Sequence, residues 1–241
     1  MIRICGAAHY FHRFRDDEPL PDLGERVAAI GHVHFRRIDR FVQLALFGAG
    51  ECAAGRQLSR ECGLYLSSST GPIGSNLLVQ DAIQEAQQLP MPFSFVNTLG
   101  TSACYHVAKD LDITGEVVLV ARGGGSFTAA LACAIADLDS DTVSHALVGA
   151  VEECVVPGNR HRAVLQLNNG VAMAEGSHWL LVERGTESGL VIDDAQLDDP
   201  VYDGYDSRDA ARLTGFTCRH PEMRFGLAGE RNSPCTLVQL S

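Results

Sequence analysis

The chain has 241 residues, 46% hydrophobic and 20% charged, which is the balance of a globular protein and excludes a disordered one. Its formal net charge of −11 argues against nucleic acid and against a membrane surface as partners, since both need basic footprints. Its cysteines (Cys5, Cys52, Cys62, Cys104, Cys133, Cys154, Cys218 and Cys235) form no C-x-x-C pair, and no apolar run approaches the roughly 18 residues of a membrane span. No signal-peptide pattern opens the chain, so the expectation is a cytoplasmic protein with reduced thiols.

Residues 2–6, IRICG, read as a short first strand, and residues 10–22 as a charged, proline-bearing surface loop. VQLALFGAGECAAGRQL reads as a helix of small and apolar residues, and residues 63–69 as a strand. A turn at residues 70–74 leads into the helix LLVQDAIQEAQQL, capped by Ser75 or Asn76 and stopped by Pro90 and Pro92. Residues 97–110 give a further helix. GEVVLVA, from Gly115, is an unbroken apolar run and reads as a strand buried on both faces. Gly123-Gly124-Gly125 breaks it. FTAALACAIADL then reads as a helix buried on all sides, so the glycine turn should point into a central cavity. Residues 146–151 are another buried strand. Residues 171–176 and 178–183 read as a strand pair broken at Gly176, and 189–192 as one more strand. Residues 193–209 are acidic and expected to be exposed. Alternating strands and helices make the class α/β.

Several stretches resemble β-ketoacyl synthases, in order and spacing, over residues 38–183. RRIDRFVQLALFGAGEC resembles their early helix, and residues 63–74 their following strand and turn. FVNTLGTSACYHVAKDLDITGEVVLVA resembles the helix and dimer-edge strand before their nucleophile. HALVGAVEE and NNGVAMAEGSHWLLVE resemble their next strands. The resemblance implies a thiolase-like fold, layered α-β-α, with GEVVLVA pairing across a dimer two-fold. Two departures bear on function. The family's nucleophilic cysteine falls on Gly124, and Cys133 is more than two helical turns along. About sixty residues follow Glu183, too few for the second half that supplies two activating histidines. RFGLAG and CTLVQL look like the family's C-terminal turn and last strand. Residues 1–192 are therefore read as the N-terminal half, and 193–241 as a shortened remnant of the other.

A ketosynthase-like chain without the cysteine resembles a chain-length factor, which pairs with an active ketosynthase and lines half of its acyl tunnel. Its short length fits pathways of the aryl-polyene kind. Phe93, Phe95 and Leu99 are then the candidates for the tunnel and interface, with ordinary core an equal alternative. The resemblance implies a heterodimer with a full-length ketosynthase and contact with an acyl carrier protein only through it. No cofactor or metal is expected; His161 and His178 make no metal spacing. Two alternatives stay open. One is an acyl-processing enzyme using Ser126 or a cysteine, although Ser126 reads first as a helix cap and His106, His145 and His161 cannot be placed beside it. The other is a phosphate-binding module at the glycine turn, which lacks the usual spacings. Cys104 and Cys154 read as core, and Glu152 and Glu153 as hydrogen-bonded structural groups.

Overall fold

A computed structural model describes residues 1–14, 18–168, 173–192, 194–197, 200–202, 205–228 and 236–240. The elements run β1 (Ile2–Phe14), α1 (Gly24–Ile30), α2 (Arg40–Ala53), β2 (Gly63–Ser68), α3 (Ile73–Gln84), α4 (Pro92–Asn97), α5 (Thr101–Asp110) and β3 (Val117–Ala121). They continue α6 (Ser126–Asp139), β4 (His145–Glu152), α7 (Gly158–Leu165), β5 (Met173–Arg184), β6 (Gly189–Val191), α8 (Asp194–Leu197), α9 (Arg208–Arg219), β7 (Phe225–Ala228) and β8 (Thr236–Leu240). Among the described residues, the eight strands join one sheet in the order β3-β2-β4-β5-β1-β7-β8-β6. β2 pairs in parallel with both β3 and β4, and β5 runs antiparallel to β4 and β1. Helices cover both faces, so the molecule is an α/β protein in three layers.

Period-two alternation sorts the strands between two cores. Ala146, Val148 and Ala150 of β4, with Leu180 and Val182 of β5, face α6 and α9. Leu147 and Val151, with Trp179 and Leu181, face α2 and α5. Trp179 is the largest fully buried side chain, and two glycines make room for it. A Cβ at Gly149 would sit 2.4 Å from Trp179 Cδ2, and one at Gly48 would sit 2.4 Å from its Cδ1. The indole Nε1–H donates to Ser177 Oγ (2.8 Å), which donates to Leu44 O in α2 (2.7 Å). One tryptophan thus ties helix, strand and strand together.

The structure departs from the sequence reading in several places. β1 runs on through Phe14, because residues 10–14 pair with β5 down to Met173 instead of forming a loop. The helix expected over 97–110 starts later, as α5 at Thr101, and a separate short helix, α4, precedes it over Pro92–Asn97. The helix after the 70–74 turn starts earlier, at Ile73, without a side-chain cap. β5 is continuous through Gly176; Val171 and Ala172 lie outside the described residues. Gly176 is there for close approach, since its Cβ would meet His178 Nε2 and Tyr205 Oη, each at 2.4 Å. The acidic stretch 193–209 is not simply exposed: Leu197, Tyr202 and Ser207 are buried. Asp193, Asp198, Asp199 and Asp203 fall outside the described residues. Within RFGLAG, Phe225–Ala228 form a strand, β7, and not a turn; Gly229 and Cys235 fall outside the described residues.

The central strand lies at the sheet edge, as the resemblance to a dimer-edge strand implies, but it is not buried on both faces. β3 is an edge strand, with Val117 and Ala121 exposed and the residues between them half-buried. α6 buries one face only: Phe127, Ala130, Leu131, Ala134 and Leu138 pack on the sheet, while Cys133 is exposed. Both segments are apolar all round, yet this chain covers only part of each.

Candidate functional site

β2, β3 and β4 are parallel, so their C-terminal ends meet at one edge of the sheet. In α/β folds that edge is where ligands and reacting groups collect. At the end of β3, Gly123 and Gly125 take left-handed backbone (φ 71° and 82°), which favours glycine. Gly124 between them is exposed, and a Cβ there would meet nothing within 4 Å. The turn therefore opens outward at the sheet edge and does not line a cavity formed by this chain. Ser126 is the first residue of α6 rather than its cap. Its buried hydroxyl donates to Gly123 O (2.6 Å) and accepts from Arg122 N–H (3.0 Å). Both partners are backbone, so this hydroxyl locks the turn and, among the described residues, bonds to no base.

Beyond β2 and β4 lies a cluster of buried carboxyls. Glu152 accepts from Ser68 Oγ (3.0 Å), Ser69 N–H (2.7 Å), Thr70 Oγ1 (3.2 Å) and Ser207 Oγ (2.7 Å). It ties the end of β2 to the start of α9. Burial raises its carboxyl above the usual range, and these donors oppose that rise. Glu153 accepts from Gly74 N–H (2.6 Å) and is pushed up to about 8, by burial first, with Asp39 and Glu175 adding like charge. Glu175, fully buried, is held by the Arg40 guanidinium and by Tyr10 Oη–H (2.9 Å). Asp39 caps α2 by accepting from Val42 N–H (2.9 Å) and takes a second bond from Ser75 Oγ (2.5 Å). Glu152 and Glu153 border a hollow of about 210 Å³ lined also by Thr70, His161, Met173 and Tyr205, among others.

His161 of that lining forms a pair with a cysteine, with Cys154 Sγ 3.8 Å from His161 Nε2. Its polarity does not suit catalysis. Val155 N–H donates to His161 Nδ1 (3.3 Å), so the neutral ring carries its proton on Nε2, facing the sulfur. The thiol itself donates to Ala174 O (3.1 Å). Burial, reinforced by Glu175 and Glu153, pushes the thiol well above its ordinary range, so a thiolate is disfavoured. Cys104 is likewise buried and pushed up to about 12. Sequence reading missed a pair of histidines: His9 Nδ1 lies 3.2 Å from His178 Nδ1, with Tyr202 Oη 2.9 Å from His9 Nε2. Only the β1–β5 register brings these two rings together. Among the described residues, no three His, Cys, Asp or Glu side chains converge to hold a metal ion.

Phe93, Phe95 and Leu99 are exposed, at 53%, 57% and 51%, so in this chain they are not core. Met91, Val96, Tyr105 and Val117 are exposed as well, which makes α4, α5 and the β3 edge strongly apolar toward solvent. The Arg37 guanidinium lies 5.2 Å over the Phe93 ring. No helix among the described residues is long and apolar enough to cross a membrane.

No family model matches the sequence, and no curated protein matches it. Solved structures do. The ishigamide ketosynthase/chain length factor matches with a TM-score of 0.56 and 20% identity, over 70% of this chain and 49% of that one, so the chain spans about half its length. The ketosynthase ApeO in complex with its chain length factor ApeC, from Xenorhabdus doucetiae, matches at 0.61 and 14%, over 95% of this chain and 87% of the other. The AntDE:AntF structure, a type II acyl-carrier protein in complex with its ketosynthase, matches at 0.55 and 14%, over 76% and 57%. The fold is therefore that of ketosynthase and chain-length-factor chains, thiolase-like α/β.

Proposed function

We propose that this chain is a non-catalytic, ketosynthase-like subunit, a chain-length factor. It pairs with an active β-ketoacyl synthase in fatty-acid-like biosynthesis of the type II, aryl-polyene kind. The observation that carries the reading is the turn at Gly124. Condensation needs a thiolate to attack an acyl thioester and then stabilisation of the enolate. Here the turn at the end of the edge strand presents glycine, Ser126 is bound into the backbone, and the Cys154–His161 pair has the wrong polarity. The half-covered β3 and α6, and the exposed Phe93, Phe95 and Leu99, fit surfaces completed by a second subunit. The match that covers nearly all of both chains is in a ketosynthase–chain length factor complex. On this reading residues 1–192 keep the N-terminal half of the fold, residues 193–241 are what is left of the other, and the protein works in the cytoplasm.

The experiment is co-expression with a β-ketoacyl synthase that has the cysteine and both histidines. The pair should elute from gel filtration as one complex and elongate a carrier-bound acyl chain, whereas this chain alone should not. Gly124→Cys should not confer condensing activity on the isolated chain, because the resemblance matches no described residue to the two activating histidines. A stable monomer that ignores the ketosynthase, or turnover by this chain alone, would refute the proposal.

A further inference from the structure

α4 is six residues long and buries none of them. A helix that short does not stand alone, and with Phe93, Phe95 and Val96 exposed, apolar burial does not fix it to the body of the chain. It packs beside α3. Among the described residues, one hydrogen bond ties it to the chain outside residues 91–99: Asn97 Nδ2–H donates to Arg37 O (3.3 Å). The same arginine makes a second contact, its guanidinium 5.2 Å from the centre of the Phe93 ring. Phe93 lies in the first turn of α4 and Asn97 closes it, so one residue holds the helix at both ends. Arg37 is itself strained. Its φ of 61° is left-handed backbone, which glycine takes freely and arginine rarely adopts. Such strain persists where the surroundings enforce it, and it collects at functional positions. The surroundings here are firm. Two residues on, Asp39 caps α2 through Val42 N–H (2.9 Å) and takes a bond from Ser75 Oγ of α3 (2.5 Å). α2 is packed into the core through Phe41, Val42 and Leu44. Arg37 therefore joins a fixed helix to a loosely held one.

We propose that Arg37 is a positioning residue: it clamps α4 in one place, and with it Phe93 and Phe95, and so sets where the acyl tunnel of the paired complex ends. The inference rests on the function proposed above for the existence of the tunnel, whereas the clamp is a property of this chain alone. A planar guanidinium lies against a phenyl face while its charge stays in water, so it holds the ring without burying it. Without that side chain, α4 is left to α3 and to the Asn97 bond, and its aromatic face yields to a growing acyl chain.

The test is Arg37→Gly, which deletes the side chain, keeps the carbonyl that Asn97 bonds, and takes the left-handed backbone without strain, so the melting temperature should not fall. Two measurements follow. In the purified chain, sub-second hydrogen exchange should show the amides of residues 95–99 exchanging about two- to fivefold faster than in wild type, with β4 and β5 unchanged. In the ketosynthase complex, mass spectrometry should show products shifted toward longer chains. Arg37→Lys, which keeps a cation over the ring, should fall between the two in both measurements. Arg36→Ala removes the same charge from the exposed neighbour and should alter neither. Unchanged exchange in Arg37→Gly, an equal effect from Arg36→Ala, or an equal fall in products of every length would overturn the inference. The two proposals fail separately. An intact, elongating complex whose product lengths ignore Arg37→Gly would refute only the role given to Arg37. A chain that pairs with no ketosynthase would refute the proposed function and the tunnel with it, while faster exchange in Arg37→Gly would still establish the clamp.

Discussion

Glu153→Gln tests the buried carboxyl cluster most sharply. Glu153 titrates at about 8 in the folded chain against an ordinary 4.5, because it is buried beside Asp39 and Glu175. The native state thus holds a proton that the unfolded chain has already lost. Its stability is present in full below pH 4.5 and drains as pH rises toward 8, at about 1.4 kcal/mol per pH unit. By pH 7 the carboxyl costs on the order of 3 kcal/mol relative to a neutral side chain of the same shape. Glutamine keeps an oxygen for the Gly74 N–H and has no charge to desolvate. The variant should match wild type near pH 4, exceed it by roughly 3 kcal/mol at pH 7, and gain little more above pH 8. Urea denaturation of both proteins from pH 4 to pH 9 measures this, and taking the difference at each pH cancels Glu152 and Asp39, which titrate in both. A difference that stays flat with pH, or a variant less stable at pH 7, would refute the assignment of the proton to Glu153.

Three further outcomes follow from the packing. Gly149→Ala forces a methyl against a Trp179 ring pinned through Ser177, and should lower stability by about 1–3 kcal/mol in denaturant melts. Val117→Lys, on the open edge of β3, should leave the isolated chain within about 0.5 kcal/mol of wild type while abolishing co-elution with a ketosynthase. Phe95→Ala should leave stability nearly unchanged, whereas Phe127→Ala, at 4% exposure in the core, should cost about 3–5 kcal/mol. In the complex, Phe95→Ala should shift products toward longer chains by mass spectrometry, and an unchanged distribution would remove Phe95 from the tunnel.

Periodicity made the α/β class, β2, β4 and the glycine turn legible, because each is a local pattern with local causes. It misjudged β3 and α6 for a physical reason. An apolar run records that something covers a segment, not whether the cover is the same chain or another, and here Val117 and Cys133 are left bare. Residues 10–14 look like a loop by their charge, and only pairing with β5 makes them strand. Gly176 reads as a break, but it is a clearance for His178 and Tyr205. Glu152 and Glu153 were legible as structural acids at a strand end. The Arg40 that balances Glu175 lies 135 residues away, and no spacing rule reaches that far.

The most direct measurement of the central claim is intact-mass spectrometry of the co-purified pair after incubation with an acyl-carrier-protein thioester. The account predicts an acyl adduct on the ketosynthase cysteine alone, with this chain's mass unchanged. It would be contradicted by an acyl adduct on this chain, at Ser126 or at any cysteine.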